Sequence, residues 1–258
     1  MDFSTQWQEW HAKRERVLAA PHGWLSLVSI DWLDDEPRAY HDLPGRWWSE
    51  DEAAVVEADG ELSVDGEPIT GKRRFELVES GPGLMIAAGD RVVELARRGG
   101  YVIRIRDPKS PTRTAFEGVP AYEPDPRWRF TGRYLPFAEP EPVTVGAVVE
   151  GLQHVYQSPG VVEFTHDGRT HRLTAFNGPD KTTLNILFTD ETSGVTTYPA
   201  NRSLNVPVTD DGEATLDFTR ATNLPCAFTT FATCPLPPAG NHLPFAVEAG
   251  ELWPSPEN

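Results

Sequence analysis

Tight-turn dipeptides recur along most of this chain, and the runs between them are short. From about Trp47 the sequence reads AAVVEADG, LSVDGEPI, FELVESGPG, LMIAAGD, VVELARRGG and YVIRIRDP. A second series, VTVGAVV, GVVEFTHDG, HRLTAFN, TTLNILFTD, TTYPANRSLNVPV and EATLDFTRA, follows from Val143. Asp-Gly at 59–60, 65–66, 167–168 and 211–212, Gly-Pro-Gly at 81–83 and Gly-Gly at 99–100 are expected to supply the positive-φ positions of tight hairpins. No helical periodicity intervenes to build parallel βαβ units. The expected fold is therefore all-β: two packed antiparallel β modules of the sandwich or barrel type. Residues 3–19 are the exception. Phe3, Trp7, Trp10, Arg14 and Val17 recur at three- and four-residue steps, which predicts an N-terminal amphipathic helix started by Ser4 or Thr5 and stopped by Pro21. The apolar run GWLSLVSIDWL at 23–33 suits a strand or a short buried helix. AYEPDPRWRF at 121–130, rich in proline and aromatics, breaks the rhythm. The expected organisation is a helical segment 1–40, a first β module 41–125 and a second β module 126–258.

With hydrophobic residues at 39% and charged residues at 24%, there is material for a core and none of the depletion that marks a disordered chain. The formal charge of −16, from 39 acidic and 23 basic side chains, opposes phosphate backbones and anionic lipid surfaces alike. Neither nucleic acid nor a membrane is an expected partner, and no stretch approaches the roughly 20 apolar residues of a membrane helix. Residues 1–20 lack the apolar centre of a secretion signal. The expected address is the cytoplasm, where Cys226 and Cys234 would stay thiols.

No Gly-x-Gly-x-x-Gly, Gly-x-x-x-x-Gly-Lys-Ser/Thr, Gly-x-Ser-x-Gly or His-Glu-x-x-His spacing occurs, so no cofactor is expected. The segment Leu216–Leu252 concentrates prolines, asparagines and both cysteines, and it is the expected site of a pocket for a small polar or anionic ligand. Asp217 is the candidate proton-transfer group, Tyr198 a hydrogen-bond donor and Cys226 a nucleophile. Asn223 and Asn241 are candidate orienting amides, Asp190 lies in the adjoining polar turn, and the planar forks of Arg202 and Arg104 suit an anion. Each residue also has a plainer reading: buried thiols for the cysteines, a hairpin turn for Asp190–Gly194, loop caps for Asp217, Asn223 and Asn241, and surface pairing for the arginines. The leading expectation is a small-molecule-binding protein, leaning to a cofactor-free hydrolase, isomerase or lyase. One alternative is a non-catalytic interaction or homo-oligomerisation module presenting Leu236, Leu243 and Phe245. Another is a zinc protein using Cys226, Cys234 and His242.

Four segments, in this order, resemble a prokaryotic domain-of-unknown-function family, number 1684. They are WQEWHAKRERVLAAPHGWLSLVSIDWL, RRGGYVIRIRDPKSPTRTAFEGVPAYEPDPRWRFTGRY, LFTDETSGVTTYPANRSLNVPV and the C-terminal LDFTRATNLPCAFTTFATCPLPPAGNHLPFAVEAGEL. The resemblance implies that Asp190, Thr192, Tyr198, Arg202, Asp217, Asn223, Cys226, Cys234 and Asn241 fall on the family's motifs. Thr222 and His242 stand where an aromatic residue and an arginine are common.

Overall fold

The computed structural model describes residues 2–40 and 43–254, which divide into two compact units. One comprises residues 16–116 and 229–232; the other comprises the chain up to Glu15, 117–228 and the stretch from Thr233 onward. Both are built of antiparallel sheet, and the N-terminal helix, α1 (Phe3–Leu18), is the one long helix among the described residues. No helix among them is long and apolar enough to cross a membrane. The Thr5 amide donates to Asp2 Oδ1 at 2.8 Å, so the helix starts on Asp2 rather than on Ser4 or Thr5.

The unit of residues 16–116 carries nine strands: β1 (Leu27–Trp32), β2 (Arg46–Glu50), β3 (Ala53–Ala58), β4 (Ser63–Val64), β5 (Glu67–Pro68), β6 (Gly71–Phe75), β7 (Leu84–Ala88), β8 (Arg91–Arg97) and β9 (Tyr101–Arg106). They form a six-stranded sheet, β1-β9-β8-β7-β4-β5, and a three-stranded sheet, β2-β3-β6. Trp47, Val56, Ile86, Val93, Leu95, Ile103 and Ile105 fill one core. Full burial of each such side chain contributes about 1.5–3 kcal/mol. The ambiguous run at 23–33 is both things at once, a 3-10 turn at Trp24–Ser26 leading into β1.

The other unit carries β10 (Arg129–Gly146), β11 (Gln153–His166), β12 (Arg169–Asn177), β13 (Thr183–Asp190), β14 (Arg202–Pro207), β15 (Glu213–Asp217), β16 (Thr222–Asn223) and β17 (His242–Leu243). Seven run in the order β15-β10-β11-β12-β13-β14-β16, and β17 pairs with β13 in parallel. The sheet curls until Val208, just past β14, bridges Ala214 on β15, but it does not close into a barrel. Period-two alternation sends Leu184, Ile186, Phe188, Leu204, Val206, Ala214 and Leu216 to the core and leaves Asn205, Thr215 and Asp217 on the opposite side of their strands.

Of the turn dipeptides, Asp65-Gly66 and Asp167-Gly168 take positive φ at both positions, and Gly99 and Gly212 at one. Asp59-Gly60 and Gly81-Pro82-Gly83 do not; beside the latter the left-handed residue is Ser80, with φ 57°.

Candidate functional site

The residues singled out in the sequence do not meet in one recess. The structure distributes them over an outer groove, a buried ion pair, a pair of backbone braces and a thiol cluster.

Asp217 lies in the groove. It ends β15 on the sheet's outward face, where α1 runs past, and the groove holds a volume of about 520 Å³. Its wall on the helix side is Phe3, Gln6, Trp10 and Arg14, of which Phe3, Trp10 and Arg14 are steps of the helical stripe seen in the sequence. Its floor is the outward polar set of the strands: Thr183, Asn205, Thr215 and Thr222. Three guanidiniums, those of Arg14, Arg129 and Arg220, share it with the single carboxylate of Asp217. Arg129 is exposed and directly opposite Asp217 in the β10–β15 ladder. Arg220 brings Nε to 3.6 Å from Asp217 Oδ2 and lies 5.7 Å over the ring of Trp10, yet that Nε is buried without a hydrogen-bond partner. Thr219 Oγ1 donates to Asp217 Oδ1 at 2.5 Å, which fixes the carboxylate. Arg14 is tied by Nε to Glu251 at 3.0 Å and by Nη2 to the Asn223 carbonyl at 2.8 Å. On its inner side, α1 is fixed by Trp7, whose Nε1 donates to the Thr219 carbonyl at 2.7 Å.

Arg202 and Asp190 are partners of one another. Arg202 Nη2 donates to Asp190 Oδ2 at 2.8 Å and to the Val247 carbonyl at 3.1 Å, while Nη1 donates to the Ala249 carbonyl. Asp190 Oδ1 accepts from Thr192 N at 2.8 Å, Thr192 Oγ1 at 2.6 Å and Val247 N at 3.1 Å. Their side chains are 1% and 0% exposed, which leaves no face for an incoming anion. Burial pushes the Arg202 pKa down, with the Asp190 charge opposing. Arg104, expected to reach the same site, belongs to the other unit. There it faces Glu94 across the β8–β9 ladder and donates to it at 2.8 Å, while Arg106 engages the second carboxylate oxygen. All three are buried, so surface pairing does not describe these arginines either.

Asn223 and Asn241 serve the backbone. Asn241 Oδ1 accepts from Thr174 N at 2.8 Å, and Nδ2 donates to the carbonyls of Thr174 and Leu187 at 2.9 and 2.8 Å. It thereby joins β12 to β13 beyond the point where their ladder, Phe176–Asn185 and Asn177–Leu184, stops. Asn223 donates from N to Glu251 at 2.6 Å and from Nδ2 to the Leu252 carbonyl at 2.7 Å. The plainer reading of both as loop braces fits this geometry.

Tyr198, Cys226 and Cys234 do come together. The Cys226 amide donates to Cys234 Sγ at 3.3 Å. Hydrogen bonds from the Cys234 thiol and then the Tyr198 hydroxyl push the Cys226 pKa below its usual value, against the effect of burial. Burial, then the Cys226 charge, pushes Tyr198 well above the usual phenol range. His242 is not part of this cluster: it lies on β17, its ring nitrogens 3.1 Å from Thr189 Oγ1 and 3.3 Å from Glu191. No three His, Cys, Asp or Glu side chains among the described residues are grouped to hold a metal ion, so Cys226, Cys234 and His242 do not stand together as a ligand set. Leu243 is 1% exposed in the core, and Phe245 packs on His166 and His171, so these two do not form the flat apolar face an interaction module would present.

Sequence reasoning missed Arg14, Arg129 and Arg220 as companions of Asp217. Parity puts Arg129 and Asp217 on the outward sides of their strands, but nothing local says that those strands pair.

The sequence model of the family described as a protein of unknown function (DUF1684) matches residues 114–252, more than half of the chain. A solution NMR structure of an uncharacterized protein from Haloarcula marismortui is 32% identical, with 54% of this chain and 78% of that chain covered and a TM-score of 0.45. No curated protein matches.

Proposed function

This chain belongs to the DUF1684 family, and we propose that its C-terminal unit binds a small anionic molecule in the groove beside α1. One observation carries the reading: in a chain of net charge −16, three arginines gather around one carboxylate in a recess of about 520 Å³. That volume suits a small ligand, and guanidinium forks suit carboxylate or phosphate groups. Trp10 offers an apolar wall, and Thr183, Asn205, Thr215 and Thr222 offer hydroxyl and amide groups for orientation.

In this reading Asp217 is the proton-transfer group of a cofactor-free hydrolysis, isomerisation or elimination. It sits among the cations that would hold the anion, and Thr219 fixes its aim. The binding half of the proposal is tested by calorimetric titration with inorganic phosphate and with citrate, on the full chain and on Arg129→Ala and Arg220→Gln. A charge-assisted hydrogen bond contributes about 1.5–3 kcal/mol, so each variant should weaken binding by about 10- to 150-fold. Absence of binding heat for both anions, or variants that bind as the parent does, overturns the reading.

A further inference from the structure

We propose that Cys226 and Cys234 form a thiol–disulfide exchange site, with Cys226 the attacking and Cys234 the resolving sulfur, and with low-molecular-weight disulfides as co-reactant. This site is distinct from the groove and does not depend on it. The two cysteines are neighbours in space, because the Cys226 amide donates to Cys234 Sγ at 3.3 Å, and neither is in a disulfide. They are also unequal. Cys226 is half-buried, whereas Cys234 is buried, its carbonyl accepting from Val148 N at 3.0 Å while the next residue, Pro235, bridges to Ala147. A half-buried cysteine beside a fully buried one suits an attacking and a resolving pair. Tyr198 completes the cluster as a donor to the Cys226 sulfur, and its edge-to-face contact with Trp253, centroids 5.9 Å apart, orients the ring. Hydrogen bonds to the thiolate lower its pKa, the condition for attack near neutral pH.

The chemistry balances without any other reagent. The Cys226 thiolate, its proton already lost to water, attacks one sulfur of a disulfide RSSR, forming a Cys226–SR bond and releasing RS⁻, which takes a proton from water. Cys234 then attacks the Cys226 sulfur. The Cys226–Cys234 bond forms, the second RS⁻ leaves, and the Cys234 proton goes to it. The dithiol loses two electrons and RSSR gains them, yielding two RSH.

The test treats the reduced full chain with oxidised glutathione, quenches with an alkylating agent and measures intact mass. The parent chain should end without alkylatable thiols and lighter by two hydrogens. Cys234→Ser should stop at one mixed disulfide on Cys226. Cys226→Ser should react at least about tenfold more slowly, since Cys234 is buried. Tyr198→Phe should move the pH midpoint of Cys226 alkylation upward, a readout that mere loss of packing would not produce, and melting temperatures of all variants establish that they fold. Two alkylatable thiols surviving in the parent, or equal rates for the two serine variants, would overturn the assignment.

Discussion

Replacing Arg202 by methionine separates a structural guanidinium from a ligand-binding one. In the native unit it cancels the charge of Asp190 inside the core, donates to the Val247 and Ala249 carbonyls and lies 5.2 Å over the Phe188 ring. Methionine fills much of the volume but leaves the Asp190 carboxyl 0% exposed and without its cation. Removing one member of a buried pair costs about 3–5 kcal/mol. At about 2–4 °C per kcal/mol for a unit of this size, the melting temperature should fall by about 6–20 °C. Adding Asp190→Asn removes the stranded carboxyl while keeping an acceptor for the Thr192 and Val247 amides. The double variant should therefore be more stable than Arg202→Met alone, with a coupling energy of about 1–3 kcal/mol. Thermal and denaturant melts of the four proteins measure this. Phosphate or citrate titration below the melting transition should show the groove unaffected. A melting point within a degree of the parent, together with lost anion binding, would refute the reasoning and make Arg202 a ligand contact.

Two further outcomes follow from the same unit. Asn241→Leu strands the Thr174 amide and the Leu187 carbonyl where β12 and β13 have parted, and should cost about 2–6 kcal/mol in a denaturant melt, at about 1–3 kcal/mol for each unsatisfied group; a loss below 1 kcal/mol would remove its role as a brace. His171 has its pKa lowered by burial first, then by His166 and Arg169. Because the unfolded chain then binds the proton more tightly, this residue's contribution is fully present above the unfolded value, about 6.5, and is lost as pH falls toward the lower folded value. His171→Phe should flatten that part of the stability-versus-pH curve, and an unchanged slope between pH 5 and 7 would contradict it.

The hairpin rhythm was readable because it is local: Asp167-Gly168 needs only its own two residues to turn β11 into β12. The fate of Asp190 and Arg202 was also readable, through parity. Asp190 shares its face of β13 with Leu184, Ile186 and Phe188, and Arg202 shares its face of β14 with Leu204 and Val206. A charge in core phase on each of two paired strands points to an internal ion pair, whereas reading the arginine alone suggested an anion site. The groove was not readable. Arg14 comes from a helix, Arg129 from the start of β10 and Arg220 from the turn after β15, and only sheet register and helix docking bring them to Asp217. Asn241 likewise looked like a ligand-orienting amide because nothing local reveals that β12 and β13 diverge beside it.

The anchoring of α1 has a consequence for biosynthesis. Trp7 waits for Thr219, and Arg14 for Glu251, partners that lie 212 and 237 residues further along. At about 5–20 residues per second, a ribosome delivers them roughly 10–50 s after the helix itself. Throughout that interval the aromatic stripe that will wall the groove has no sheet to dock on, so the helix is among the first segments made and among the last to be packed.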